Sequence, residues 1–256
     1  MKEIKVDNLK VKIMPNRTEM GVVAANDLHD KIVELLSKKE EINMIFAAAP
    51  SQNDVLKSLT EFKDIAWDRI NAYHMDEYIG LNKTAPQGFG NFLMSHIFGL
   101  VPFKSINLID SETKNPLEEC KRYSKLLNDN PTDIVVMGIG ENGHIAFNDP
   151  WVADFNDKEV VKVVELDEVC RQQQVNDGCF KSISEVPKTA LTLTCPTLVK
   201  APYLFCIVPA ITKAKAVART LKGEINEDCP ATILRKQPCA TLYLDGDSSS
   251  LLWKRL

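Results

Sequence analysis

The segment from Asp133 to Pro150 constrains the fold more than any other, because an apolar strand there runs straight into glycines, a histidine and a carboxylate. Residues 134–137 are apolar without polar alternation, which is typical of a central parallel strand covered by helices on both faces. The glycines that follow permit a sharp turn at the carboxyl edge of the sheet, where open α/β sheets bind ligands. We therefore predict a ligand site at this strand end, with His144 as a proton carrier and Asp149 beside its ring.

Strand-like apolar segments alternate with helix-like amphipathic segments along the rest of the chain. Strands are predicted at residues 43–49, 65–72, 105–109, 134–137, 160–165, 190–194, 203–208 and 240–244. Helices are predicted at residues 18–39, with Thr18 as the N-cap, at 88–97, 116–127 and 212–221, and after Pro50 through Leu56 and Leu59. This alternation predicts an α/β fold with a doubly wound, mostly parallel sheet and right-handed crossovers. A length of 256 residues without a linker-like tract favours a single domain over residues 1–256.

Composition and charge argue against several classes of function. A net charge of −4 argues against a nucleic-acid partner, since binding to a phosphate backbone needs concentrated Lys and Arg. No apolar run approaches the roughly 20 residues of a membrane span, so we expect no membrane partner. The seven cysteines form no Cys-x-x-Cys pair and no signal peptide precedes them, which favours reduced thiols in the cytoplasm. The four histidines lack i, i+4 partners, so we expect no catalytic metal and no cofactor.

Three segments, in chain order, resemble segments of the glucosamine-6-phosphate deaminase family of amino-sugar-phosphate isomerases. They are Asn71-Ala-Tyr-His-Met-Asp-Glu-Tyr-Ile-Gly-Leu81, Gly140-Glu-Asn-Gly-His-Ile-Ala-Phe-Asn-Asp-Pro150 and Val186-Pro-Lys-Thr-Ala-Leu-Thr-Leu193. The resemblance implies a Rossmann-like fold and a hydrolytic isomerase that converts glucosamine 6-phosphate or galactosamine 6-phosphate to the ketohexose 6-phosphate plus ammonia, through ring opening and an enolamine. The ligand is then a small sugar phosphate, and the resemblance allows either a monomer or a homo-oligomer.

The same resemblance implies catalytic roles for four residues. Asp76 matches the family's base, which moves a proton between C2 and C1 of the substrate, and His144 matches the acid that protonates the ring oxygen. Asp149 stands where the family usually has Glu, so the carboxylate is kept but is one methylene shorter. Asn142 stands where the family usually has Asp, and its amide carries no charge but can hold the histidine by a hydrogen bond.

Phosphate binding is expected at two other strand ends. Ser51 and Gln52 follow a predicted strand and open a helix, whose free N–H groups and dipole favour an anion. The family's Gly-rich turn is replaced here by alanines. Lys213 resembles the family's phosphate lysine, and Arg171 is the nearest candidate for its arginine, although it lies earlier than the family spacing predicts. Close approach of the substrate to the backbone is expected at Gly140 and Gly143.

Two other functions stay open on sequence grounds. A 6-phosphogluconolactonase shares the fold and a Gly-His segment, in which the histidine helps water attack a lactone. The Ile-Ala-Phe-Asn that follows His144 and the segment Met75-Asp-Glu-Tyr78 favour the deaminase over the lactonase. A non-catalytic sugar-phosphate sensor is the third hypothesis, motivated by Asn142 and by the altered turn at residues 47–50.

Overall fold

The structure, a computed structural model, describes residues 1–176 and 178–253. Its strands, in chain order, are β1 (Lys2–Val6), β2 (Leu9–Ile13), β3 (Ile42–Phe46), β4 (Ile70–His74), β5 (Asp76–Tyr78), β6 (Ser105–Asn107), β7 (Ile134–Met137), β8 (Val161–Glu165), β9 (Thr189–Leu193), β10 (Tyr203–Val208) and β11 (Ala240–Leu244). The main sheet has the order β1-β2-β11-β10-β7-β3-β4-β6. The β1–β2 pair is antiparallel and the other neighbours are parallel, which confirms the mostly parallel α/β fold.

Helices cover both faces of this sheet. They are α1 (Arg17–Leu36), α2 (Asn53–Thr60), α3 (Phe89–Leu93), α4 (Pro116–Asp129), α5 (Glu168–Asn176), α6 (Cys195–Val199) and α7 (Ala214–Lys222). Ile134 and Val136 of β7 belong to the core that contains the buried faces of α1 and α2. Val135 and Met137 belong to the core on the other side, with α4, α6 and α7. The unbroken apolar run of β7 is therefore explained, because alternate side chains are buried on opposite faces.

The chain leaves β3 toward one edge of the main sheet and leaves β7 toward the other. From β3 it continues to β4 and β6, whereas from β7 it continues to β10 and β11. β3 and β7 are themselves neighbours, with Ile45 beside Val135. Their carboxyl ends form a topological switch point, where the connecting loops separate and leave a crevice.

The strands predicted at 160–165 and 190–194 are not part of the main sheet. With β5 they form a separate antiparallel sheet in the order β5-β9-β8. This finding corrects the expectation that they belong to the parallel alternation. β8 leaves Val163 and Glu165 exposed, as expected of an antiparallel sheet with one solvated face. We refer to these three strands as the small sheet.

Several elements begin or end elsewhere than the pattern predicts. α1 begins at Arg17, and Asn16 rather than Thr18 is the N-cap, since its side chain accepts a hydrogen bond from the N–H of Glu19 at 2.9 Å. β4 begins later than predicted because residues 67–69 form a 3₁₀ turn. Residues 94–98 continue α3 as a π-helical turn.

Some strands and helices lie outside the predicted ones. The β1–β2 hairpin has lysine-rich strands with little apolar continuity, and it joins the sheet through β2, which pairs with β11. The others are the short strand β5, α5, which is mostly polar, and the short α6. Among the described residues, every helix is too short or too polar to span a bilayer.

Candidate active site

A cleft opens at the carboxyl edge of the main sheet, at the switch point between β3 and β7. Its walls come from the segments that follow β3, β4, β7 and β10, and from α1, α3 and α5. The cleft is open to solvent, and its enclosed part has a volume of about 140 Å³. Of the residues predicted for the site, those on its walls are Ser51, Gln52, Asp76, Gly140, His144 and Lys213.

Two glycines shape the loop that carries His144. A Cβ on Gly140 would lie 2.2 Å from the imidazole ring, so the ring occupies space that only glycine leaves free. Gly143 has a φ of +96°, and a Cβ there would lie 2.6 Å from Sγ of Cys229. Gly140 therefore lies beside the histidine on the cleft wall, whereas Gly143 serves the turn behind it.

Asp149 lies behind the imidazole of His144 and is fully buried. Nδ1 of His144 is 3.0 Å from Oδ1 of Asp149. Burial acts to raise the pKa of Asp149, but its polar neighbours, led by His144, outweigh burial and hold the pKa below its usual value. The carboxylate is therefore charged at neutral pH, and a side chain one methylene shorter than Glu still reaches the ring.

Asn142 holds the same loop with both ends of its amide. Its Nδ2 donates to Oδ1 of Asp149 at 2.7 Å, and its Oδ1 accepts from the backbone N–H of His144 at 2.9 Å. The amide thus contacts the histidine through the backbone rather than through the ring. It orders the loop without adding a charge.

The small sheet connects this loop to Asp76. Thr192 of β9 pairs with Asp76 of β5, and its Oγ1 accepts from the N–H of Phe147 at 3.0 Å. Asn148, fully buried, donates to the carbonyl of Leu193 at 2.8 Å. The loop that carries His144 and the carboxylate of Asp76 are therefore attached to the same strand, although they are far apart in the chain.

Asp76 and Glu77 are both buried but have different surroundings. Burial, together with the charge of Glu77, raises the pKa of Asp76 well above its usual value, and Asp76 faces the cleft. Glu77 instead accepts hydrogen bonds from three backbone N–H groups, those of Tyr78, Phe89 and Gly90. Glu77 thereby satisfies the start of α3, which leaves Asp76 as the carboxylate available to a ligand.

Alanines, Ser51, Thr212 and Lys213 also line the cleft. Gln52 is fully buried and donates through Nε2 to Oγ of Ser51 at 3.0 Å and to the carbonyl of Ile207 at 3.2 Å. Ala49 has an extended backbone, with a φ of −155°, and the turn contains no residue with positive φ. Alanines can therefore replace a Gly-rich turn here, since no left-handed residue is required.

Arg171 is not brought to the cleft. Its guanidinium donates to the carbonyls of Ile183 and Val186 and so ties α5 to the turn before β9. This placement corrects the expectation that Arg171 contacts a phosphate. Arg17, the first residue of α1, lies on the cleft wall instead, with Nε 2.7 Å from Oδ2 of Asp54. Sequence reasoning missed Arg17 because it did not predict β2, the strand that precedes it.

α5 brings three further side chains that the sequence pattern does not identify. Gln173 and Gln174 line the cleft, and Gln173 also accepts from the N–H of Glu141 at 2.9 Å. Cys170 is buried below them, where the ligand atoms of His144, Asp149 and Cys170 all lie within 4.8 Å of one another. These three residues are the group of described residues whose donor atoms are close enough to hold a metal ion.

A family profile and individual protein sequences match this chain over most of its length. The profile of the family described as glucosamine-6-phosphate isomerases/6-phosphogluconolactonase matches residues 15–243. The chain is 32% identical over 246 residues to the glucosamine-6-phosphate deaminase of Lactobacillus delbrueckii subsp. bulgaricus, covering 95% of this chain and 100% of that protein. It is 33% identical over 220 residues to the deaminase of Bacillus cereus, covering 86% of this chain and 82% of that protein.

Solved structures agree at the level of the backbone. A monomeric glucosamine-6-phosphate deaminase superposes with a TM-score of 0.85 at 28% identity, over 94% of this chain and 99% of that one. A 6-phosphogluconolactonase from Thermotoga maritima superposes with a TM-score of 0.73 at 18% identity, over 92% and 98% of the two chains. The second likeness concerns the fold alone.

Proposed function

Since the chain belongs to the family of glucosamine-6-phosphate isomerases and 6-phosphogluconolactonases, we propose that it is a deaminating isomerase acting on glucosamine 6-phosphate or galactosamine 6-phosphate in the cytoplasm. The products are the ketohexose 6-phosphate and ammonia. The observation that carries this proposal is that Asp76 and His144 line the same cleft as Lys213 and Ser51. This reaction needs two proton carriers and an anion site close enough to contact one sugar phosphate.

We assign the opening step to His144. Its protonated imidazole gives a proton to the ring oxygen of the bound sugar, which frees the C1 aldehyde of the open chain. Asp149 lies at Nδ1 and stays charged, so it stabilises the imidazolium and directs the other ring nitrogen to the cleft. The open chain then presents its C2 hydrogen for removal.

Asp76 is the base of the next step. It takes the proton from C2, which gives an enolamine, and returns a proton to C1, which leaves an iminium group at C2. Water adds to this carbon and ammonia leaves, so C2 becomes a ketone. The raised pKa of Asp76 suits a carboxylate that must both accept and return a proton near neutral pH.

The phosphate is held, in this proposal, at the alanine-lined end of the cleft. Lys213 contributes a positive charge, and Ser51 contributes a hydroxyl at the turn that opens the helix after β3. Arg17 is the guanidinium of this site, in place of Arg171. Its Nη2 donates to the carbonyl of Pro50 at 2.8 Å, which fixes the side chain against the same turn.

The buried carboxylate favours this reaction over lactone hydrolysis. A lactonase needs one base to activate water, whereas proton transfer between two carbons needs a second carrier on the cleft wall, and Asp76 supplies it. The sensor hypothesis rested on Asn142 and on the altered turn at residues 47–50. Asp149 lies beside the ring of His144 and supplies the charge that Asn142 lacks, and the turn needs no residue with positive φ.

The test is release of ammonia from each hexosamine 6-phosphate by the purified protein, beside hydrolysis of 6-phosphogluconolactone. We expect ammonia from at least one epimer, and release that is about 10³-fold slower or more in an Asp76→Asn variant. Fast lactone hydrolysis without ammonia would establish the lactonase instead. Binding of the sugar phosphates without turnover would establish the sensor.

A further inference from the structure

The residues behind the catalytic imidazole form a ligand set that proton transfer does not require. Asp149 alone is enough to orient His144, yet Cys170 of α5 lies against the same carboxylate. Histidine nitrogen, carboxylate oxygen and cysteine sulfur are the three donor types that zinc takes in proteins. All three residues are buried, so their donor atoms compete with little water.

Two of these donor atoms lack an aligned hydrogen bond. Nδ1 of His144 lies 3.0 Å from Oδ1 of Asp149, and Cys170 also interacts with the Asp149 carboxylate. Nδ1 of His144 and Oδ2 of Asp149 are nevertheless buried without an aligned partner among the described residues. A buried polar atom without an aligned hydrogen bond is costly, and a bound cation would satisfy both atoms at once.

The spacing of the donors suits a zinc ion after a small adjustment. Zinc–ligand distances of about 2.0–2.3 Å in a tetrahedron place neighbouring donors roughly 3.3–3.6 Å apart. The His144–Asp149 pair is at 3.0 Å, and all three donors lie within 4.8 Å of one another. The donors must therefore move by roughly 1 Å to reach a common ion, and water completes the fourth position.

We propose that His144, Asp149 and Cys170 form an inhibitory site for a soft divalent cation, with Zn²⁺ as the ligand. The ion binds Nδ1 of His144, the carboxylate of Asp149 and the thiolate of Cys170, and the thiol proton passes to solvent. An imidazole held through Nδ1 by a cation can no longer alternate between its protonated and neutral forms, so the ring-opening step stops. The inhibition rests on the proposed deaminase function, whereas the binding does not.

Binding is tested without turnover by titrating the substrate-free protein with Co²⁺, which reports a bound thiolate as an intense near-ultraviolet charge-transfer band. We expect the band in the wild-type protein and its loss in Cys170→Ser, together with a weakening of Zn²⁺ binding by more than about 100-fold, since even outer-shell changes cost 10–100-fold. Asp149→Asn is a second variant that should weaken Zn²⁺ binding even if Cys170→Ser folds poorly.

Two cysteine variants serve as matched controls. Cys195→Ser removes another buried thiol, and Cys239→Ser removes an exposed one. Both should keep the Co²⁺ band and the inhibition. A band that survives in Cys170→Ser, or that disappears with Cys239, would overturn the site.

Activity is then measured in buffers of fixed free Zn²⁺. We expect loss of ammonia release in the wild-type protein, reversal by a chelator, and resistance in whatever activity Cys170→Ser retains. A Co²⁺ band in a protein that releases no ammonia would reject the deaminase function and keep the metal site. Full activity with the band present would reject the inhibitory role.

Discussion

The two ends of the cleft hold their charged groups in different ways. At the proton-transfer end, Asp76 and Asp149 are 7% and 0% exposed, and their surroundings move their pKa values in opposite directions. At the proposed phosphate end, Lys213 is 7% exposed, but the side chain of Arg17 is 42% exposed. Proton transfer depends on the pKa of each group, whereas an anion is attracted by any nearby positive charge. The phosphate end can therefore use an exposed cation such as Arg17.

The largest effect is expected at the proton-transfer end, from Asp76→Asn. An amide has no basic oxygen at neutral pH, so kcat should fall by about 10³-fold or more while KM changes little. Ammonia release and binding of the sugar phosphate, measured separately, check this. A large rise in KM with an unchanged kcat would place Asp76 in binding instead.

Gly140→Ala should also lower kcat, but by less than Asp76→Asn. The added Cβ would lie 2.2 Å from the ring of His144 and must displace it. A displacement of about 1 Å at a catalytic group costs on the order of 100-fold in rate. Gly80→Ala is the control, because its φ of +82° brings strain but nothing lies within 4 Å of the new Cβ. It should lower the melting temperature and leave kcat unchanged.

Arg17→Gln and Arg171→Gln form a matched pair for the phosphate end. Loss of one charged contact to the substrate should raise KM about tenfold in Arg17→Gln with kcat nearly constant. Arg171→Gln should leave KM unchanged, since that guanidinium contacts carbonyls outside the cleft. Equal effects in the two variants would contradict the assignment of Arg17.

His74 is a buried titratable residue that does not line the cleft, so it shows what burial alone does to a pKa. It is fully buried in β4, and burial lowers its pKa to about 3, so it stays neutral in the folded protein. Below about pH 6.5 the unfolded chain binds a proton that the folded protein does not, and stability should fall by about 1.4 kcal/mol per pH unit down to pH 3. Denaturant unfolding of the wild type and His74→Gln between pH 5 and 7 measures this, with a shallower slope expected in the variant.

Both ends of the cleft contain residues that the local sequence predicts and residues that it does not. Residues 134–150 carry strong local signals, since an apolar strand and glycines around His144 permit few other structures. The pairing of Asp76 with Thr192 is non-local, and neither residue's neighbours encode the partner. Arg17 and Cys170 reach the site through the packing of α1 and α5, which hydrophobic periodicity does not specify. The placement of β8 and β9 was wrong for the same reason, because the sequence pattern of a strand does not specify which sheet the strand joins.

The attachment of both catalytic segments to β9 has a mechanical consequence. Thr192 is bound to the strand of Asp76 on one side and to the loop of His144 on the other. A tilt of β9 would therefore move Asp76 and the loop of His144 together, and it would change their distances from Lys213 more than the distance between them.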